Sequence, residues 1–224
     1  MEYTKYILLI ILPYILFTFC FYLKKKEAPS WVIRKFLHVT GLTVAAVYGA
    51  FLDTIQEVII FMSIFLLTIL LLSVPKRIRL IQSLFIMGTR PGESVNVSII
   101  NTTLTTLSTV ILLIIFQENK WIFMAGVLSV AFGDGLGEFI GKPFGKHKYK
   151  ITGYKSIEGS FGVFIGSYLG GIIAFLSFNA FIPSILFIII ITSIIAMLIE
   201  AISFSMFDNI FMPFGVAYAL LFLI

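Results

Sequence analysis

The chain has 224 residues, of which 59% are hydrophobic and 12% charged, with a formal net charge of +5. Its mean hydropathy of +1.07 lies far above the range of water-soluble domains, so soluble enzymes and soluble binding modules are excluded. The single cysteine, Cys20, allows neither a disulfide within the chain nor a cysteine metal cluster and reads as packing.

A helix needs about 20 apolar residues to cross about 30 Å of hydrocarbon. Eight stretches qualify as candidates: 6–23, 36–52, 58–74, 97–116, 121–140, 161–178, 182–202 and 211–224. The second and the eighth are short and could be tilted, re-entrant or half crossing. The apolar runs are continuous and do not alternate, which disfavours a β-barrel. The expected fold is all-α, a polytopic membrane bundle of about 7–8 transmembrane helices. It forms a single membrane domain over 1–224, with no soluble module. The first stretch follows Lys5 and has too long an apolar core for a signal peptide, and no small-x-small site follows it. It is expected to remain as a helix kinked at Pro13.

Lys24, Lys25, Lys26, Arg34 and Lys35 lie between the first two stretches. Lys76, Arg77, Arg79 and Arg90 lie between the third and fourth, and Lys142, Lys146, Lys148, Lys150 and Lys155 between the fifth and sixth. Fourteen of the sixteen basic residues therefore fall on one side, which the positive-inside rule makes cytoplasmic. Both termini then face outward. Anionic lipid headgroups are an expected partner of this basic side. No nucleic-acid partner is expected, and an oligomer stays open. The segment KRIRLIQSLFIMG, 76–88, reads as a short interfacial helix. TRPGESVN after it reads as a turn, with Gly92, Glu93 and Ser94 in an ordinary loop. The hydroxyls of INTTLTTLSTV are read as packing, satisfied by their own helix or a neighbour.

The chemistry gathers in 133–162, GDGLGEFIGKPFGKHKYKITGYKSIEGSFG. Gly133, Gly137 and Gly141 recur every four residues on one helical face. Close helix packing explains them, yet leaves Asp134 and Glu138 unexplained. These two acids also lie four apart, and a cation between them would turn repulsion into binding. Carboxylates of this kind suit Mg²⁺ carrying nucleotide phosphates. A helix end already outside the bilayer is the plainer reading of both. Pro143 is expected to end the helix and Gly145 to allow a tight bend. Lys142, Lys146, Lys148 and Lys150 make a cationic surface suited to polyphosphate, and His147 reads as a surface residue. Ser156 or Ser160 could cap the next helix, and Gly159 and Gly162 let backbone amides approach an anion. Lys155 and Glu158, three apart, could form an ion pair.

Two further polar islands fall on the same side. RKFLHVTG supplies Arg34, Lys35, His38 and Gly41, and EAISFSMFDN supplies Glu200, Asp208 and Asn209, with Pro213 beyond. A helix–helix hydrogen bond from His38 and an interfacial cap from Asp208 and Asn209 are the structural alternatives.

These islands, in this order, resemble the CTP-dependent polyprenol, phytol and dolichol kinases. That group is related to yeast-type diacylglycerol kinase and to the phosphatidate cytidylyltransferases. Arg34, Lys35, His38 and Gly41 match its early basic pair with histidine and glycine. Gly133, Asp134, Gly137 and Gly141 match the central Gly-Asp helix, and Gly145 and Lys146 the next glycine-basic step. Lys155, Ser156, Glu158, Gly159 and Ser160 match Lys-Ser-x-Glu-Gly-Ser, and Asp208, Asn209 and Pro213 the late Asp-Asn before proline. Gly137 stands where alanine is common. The likeness covers about 34–224 of the sequence.

The resemblance implies transfer of the γ-phosphoryl group of CTP to a membrane alcohol: dolichol, polyprenol, phytol, geranylgeraniol or diacylglycerol. It implies Asp134, Lys155, Glu158 and Asp208 as catalytic residues and Asp134, Glu138 and Asp208 around Mg²⁺. Gly133, Gly137, Gly141, Lys142, Gly145, Lys146, Ser156, Gly159 and Ser160 would hold the nucleotide. Arg34, Lys35, His38 and Asn209 would assist. In this scheme Glu158 orients Lys155 or binds metal. Phosphatidate cytidylyltransferase is the nearest alternative, and a membrane transporter or scaffold is the alternative of another class.

Overall fold

The computed structural model describes residues 11, 15, 18–52, 54, 56–57, 60, 95–178, 184–204 and 207–224. The expected kink at Pro13, the interfacial stretch 76–88, Gly92, Glu93, Ser94 and all but Ile60 of the span 58–74 lie outside the described residues.

Residues 18–25 are helical. The longer helices are α1 (Ser30–Phe51), α2 (Val95–Ile115), α3 (Lys120–Phe144), α4 (Ile157–Phe178), α5 (Ile185–Ile202) and α6 (Asp208–Leu223). Between α3 and α4 lies an antiparallel hairpin of β1 (Lys148–Lys150) and β2 (Tyr154–Ser156). Helix α1 begins six residues before the expected stretch, so Arg34 and Lys35 lie on the helix with His38 and not in the loop before it. Pro143 lies in the last turn of α3, one residue before its end. The helix runs on to Phe144, and Gly145 N–H still bonds the Gly141 carbonyl at 3.1 Å. A proline this close to a helix end forfeits little of the hydrogen-bond ladder.

Among the described helices, α3, α4 and α5 are long and apolar enough to cross a membrane, and α6 is a shorter apolar helix. Large apolar side chains point outward from three helices, including Leu176 on α4, Leu186, Phe187 and Leu198 on α5, and Phe222 on α6. A surface this greasy is what lipid contact requires. Helix α3 is the middle of the bundle and touches α1, α2, α4, α5 and α6. Its residues from Ile122 through Ala131 are all buried, as expected of a helix apolar on every side.

The α3–α4 seam is built on small residues. A methyl group at Gly166 would lie 2.1 Å from the Phe132 carbonyl oxygen, and one at Gly162 would lie 2.7 Å from that of Leu136. Ser167 donates across the seam to the Ser129 carbonyl at 3.2 Å. Such backbone approach replaces the hydrophobic drive that helices lack in lipid. On α2, Thr102, Thr105, Thr106 and Thr109 each donate to the carbonyl four residues earlier, at 2.8–2.9 Å, as expected of hydroxyls in an apolar helix. Lys120 at the start of α3 donates to the Leu52 carbonyl just past α1, so the two helices run antiparallel. The opposite end of the bundle collects the polar residues.

Candidate active site

At that end, α1 and α3 are joined by charge. Lys35 donates to Asp134 Oδ2, and its ammonium lies 2.9 Å from Glu138 Oε2. The Lys35 side chain is 3% exposed. Arg34 donates one guanidinium nitrogen to both Glu138 oxygens, at 2.5 and 2.7 Å. Lys142, one turn along α3, reaches Glu138 Oε1 at 2.6 Å and sits over the Trp31 ring, 4.8 Å from its centroid. His38 Nε2 lies 3.2 Å from Asp134 Oδ2. The Lys35 ammonium thus lies against both Asp134 and Glu138. Buried ions persist only when paired in this way.

The hairpin covers the ends of α4 and α5. In its register Tyr149 faces Lys155, and both reach the bundle. Tyr149 shares a 2.6 Å hydrogen bond with Ser160 of α4. Lys155 lies 2.7 Å from Glu200 Oε1 of α5 and donates to the Glu200 carbonyl as well. Thr152 donates to the Ser203 carbonyl at 3.0 Å. Ser156 caps α4, accepting from Gly159 N–H at 3.1 Å. The expected Lys155–Glu158 pair does not form. Glu158 turns to His147 instead, 2.7 Å from its Nδ1, and accepts its backbone N–H at 3.2 and 3.3 Å. Lys155 and Glu158 therefore have separate partners, Glu200 on α5 and His147 at the start of the hairpin.

Asp208 is the first residue of α6 and is 7% exposed. Its Oδ1 accepts the Asn209 N–H at 2.8 Å, and the charges of Asp134, Lys35 and Lys155 act on it. The Asn209 Oδ1 is buried without a hydrogen-bond partner. The Lys35–Asp134 pair, the Lys155–Glu200 pair and Asp208 thus lie at one end of the bundle.

The glycines expected to cradle a nucleotide face neighbouring helices instead. A methyl group at Gly133 would meet Met212 Cε and Ser167 Oγ, both at 2.7 Å, and one at Gly137 would meet Val163 at 2.6 Å. Gly141 and Gly159 oppose each other, with Gly141's added methyl 3.1 Å from the Gly159 Cα. Gly145 is not in a left-handed conformation (φ −68°), and its hydrogen makes room for Ser156 Oγ, 2.6 Å from an added methyl. Ser156 and Ser160 are occupied by the cap and by Tyr149. Of the expected nucleotide ligands, Lys146 remains on the exposed approach with Lys148 and Lys150 of the hairpin.

Among the described residues no three His, Cys, Asp or Glu side chains converge on a metal position. Mg²⁺ bound with a triphosphate needs only one or two carboxylates, since phosphate and water complete its shell. Arg34, Lys35 and Lys142 already contact the Glu138 carboxylate, whereas Lys35 and His38 lie on one oxygen of Asp134, Oδ2. Glu200 was not among the expected site residues. Its signal is a carboxylate near the end of an otherwise apolar helix.

Over 105 residues the chain is 34% identical to a phytol kinase of Synechocystis sp.. The match covers 46% of this chain and 45% of that protein, so the chain spans about half the length of the curated relative it matches. No family model matches the chain. No solved structure matches it either.

Proposed function

We propose that the chain is a membrane lipid-alcohol kinase that moves the γ-phosphoryl group of CTP to an isoprenoid alcohol or diacylglycerol. The observation that carries this reading is the likeness to a phytol kinase over 105 residues. The charged cluster at one end of an apolar bundle supports it. A lipid hydroxyl at the interface and a nucleotide from the aqueous side would meet there, with the tail lying among the helices. The mouth faces the cytoplasm, where the basic residues belong. Labelling of a cysteine placed at Lys148 from outside intact cells would overturn that orientation.

Phosphoryl transfer asks mainly for positioning and charge neutralisation. Asp134 and Asp208 are the carboxylates that would hold Mg²⁺, which supplies neutralisation of the triphosphate. Lys35 orients Asp134 through its hydrogen bond to Oδ2. Lys155 counters the charge that shifts along the phosphates, and Lys146 and Lys148 draw the nucleotide to the mouth. Alternatively, Asp208 would accept the alcohol proton as the oxygen attacks phosphorus and CDP departs.

Purified protein incubated with CTP or ATP and a panel of phytol, geranylgeraniol, polyprenol, diacylglycerol and phosphatidate tests the proposal. The kinase reading expects CDP and a lipid monophosphate. Pyrophosphate with a CMP-lipid product would replace it with the cytidylyltransferase reading. No turnover of any pair would overturn both.

A further inference from the structure

A carboxylate near the end of an apolar helix is costly unless something compensates it. For Glu200 the compensation is Lys155: the ammonium lies 2.7 Å from Oε1 and donates to the backbone carbonyl of the same residue. Each side chain is 16% exposed, so the pair is largely withdrawn from water. Glu200 lies two residues before the end of α5, at the end of the bundle where the hairpin and the last turns of α3 also lie.

The hairpin has ties to the bundle besides this pair. Tyr149 to Ser160 and Thr152 to the Ser203 carbonyl already tie the hairpin to α4 and α5. The Ile157 N–H bond to the His147 carbonyl fixes where the hairpin joins α4. What Glu200 alone supplies is a fixed location for a flexible ammonium. Lysine has four rotatable bonds and no geometric preference of its own, so a charge meant for one spot needs a second group to hold it there.

We propose that Glu200 is a positioning residue for Lys155, holding its ammonium at the mouth for the phosphates of the incoming nucleotide. The proposal rests on the kinase reading above and extends it to a residue outside the matched motifs. Glu200 touches neither substrate nor metal in this account. It acts through Lys155.

Two measurements on purified protein test it. The first is steady-state kinetics of the parent, Glu200→Gln, Glu200→Asp, Lys155→Ala and the double variant, with CTP and a lipid alcohol. Glu200→Gln should lower kcat at least about tenfold with KM for the nucleotide changed less than about threefold, the pattern of lost positioning. Glu200→Asp should recover part of the loss, and Glu200→Gln should add nothing once Lys155 is alanine. The second is labelling of lysines by an amine-reactive ester, read by mass spectrometry. Lys155 should react several-fold faster in Glu200→Gln than in the parent, with Lys148 unchanged. Unchanged Lys155 labelling would overturn the contact, whatever the activity. Parental kcat in Glu200→Gln would overturn the positioning role while leaving the kinase reading intact. Absence of turnover in the parent would instead remove the kinase reading, and the catalytic role of Glu200 with it.

Discussion

Lys35 of α1 donates to Asp134 of α3 across 99 residues of sequence, and both side chains are largely buried. The pair joins two antiparallel helices at the end where Lys155, Glu200 and Asp208 also lie. Glu138, one turn along α3, is bound by Lys35 too, together with Arg34 and Lys142. The two acids therefore do different work. Asp134 has one oxygen committed to Lys35, whereas Glu138 has both oxygens engaged by cations.

That difference separates their variants. Glu138→Gln should lower the thermal midpoint, because removing one member of a buried ion cluster leaves its partners uncompensated, at a cost of about 3–5 kcal/mol. The Mg²⁺ concentration giving half-maximal rate should not move. A large increase in that concentration, at unchanged stability, would return Glu138 to the metal set.

The seam between α3 and α4 makes a second prediction. Gly166→Ala places a methyl 2.1 Å from the Phe132 carbonyl oxygen, so the helices must separate. Overpacking of this kind should cost about 1–3 kcal/mol in thermal or denaturant unfolding in detergent. Gly41→Ala is the control, since nothing lies within 4 Å of an added methyl there. It should be neutral or stabilising by up to about 1 kcal/mol, the helix preference of alanine over glycine. Equal effects of the two changes would contradict the close seam.

Lys155 and Glu158 make no contact with each other and share no partner, since one pairs with Glu200 and the other with His147. Lys155→Ala should slow turnover roughly a hundredfold, the effect of losing one charge contact in a closed site. Glu158→Gln should add its own smaller loss, and the double variant should equal the two combined within about 0.5 kcal/mol. A double variant no worse than Lys155→Ala would show that the two residues act as one unit after all.

The polar islands were legible in the sequence because charge is rare in this chain. Arg34, Lys35, Asp134, Glu138, Lys155 and Asp208 stand out from apolar runs, and the common side of their loops brings them to one end. Their partners were not legible. Lys155 has Glu158 three residues away and Glu200 forty-five away, and only the docking of β2 and its hairpin against α5 decides between them. That strand was itself hidden, because three residues of KYK and three of YKS carry no periodicity to distinguish them from a loop. The glycines of α3 were read correctly as one face. The identity of what lies against that face, a second glycine-rich helix, follows from tertiary packing alone.

The central claim is that the cluster around Asp134 is the active site. Its most direct test is lipid monophosphate formation from CTP by Asp134→Asn beside the parent, both shown to be folded by matching thermal midpoints or corrected for any difference. The account predicts that the parent forms product and that Asp134→Asn forms less than about one-hundredth as much at every Mg²⁺ concentration, as loss of a group holding the metal and triphosphate requires. Product formation by folded Asp134→Asn within a few-fold of the parent would contradict it.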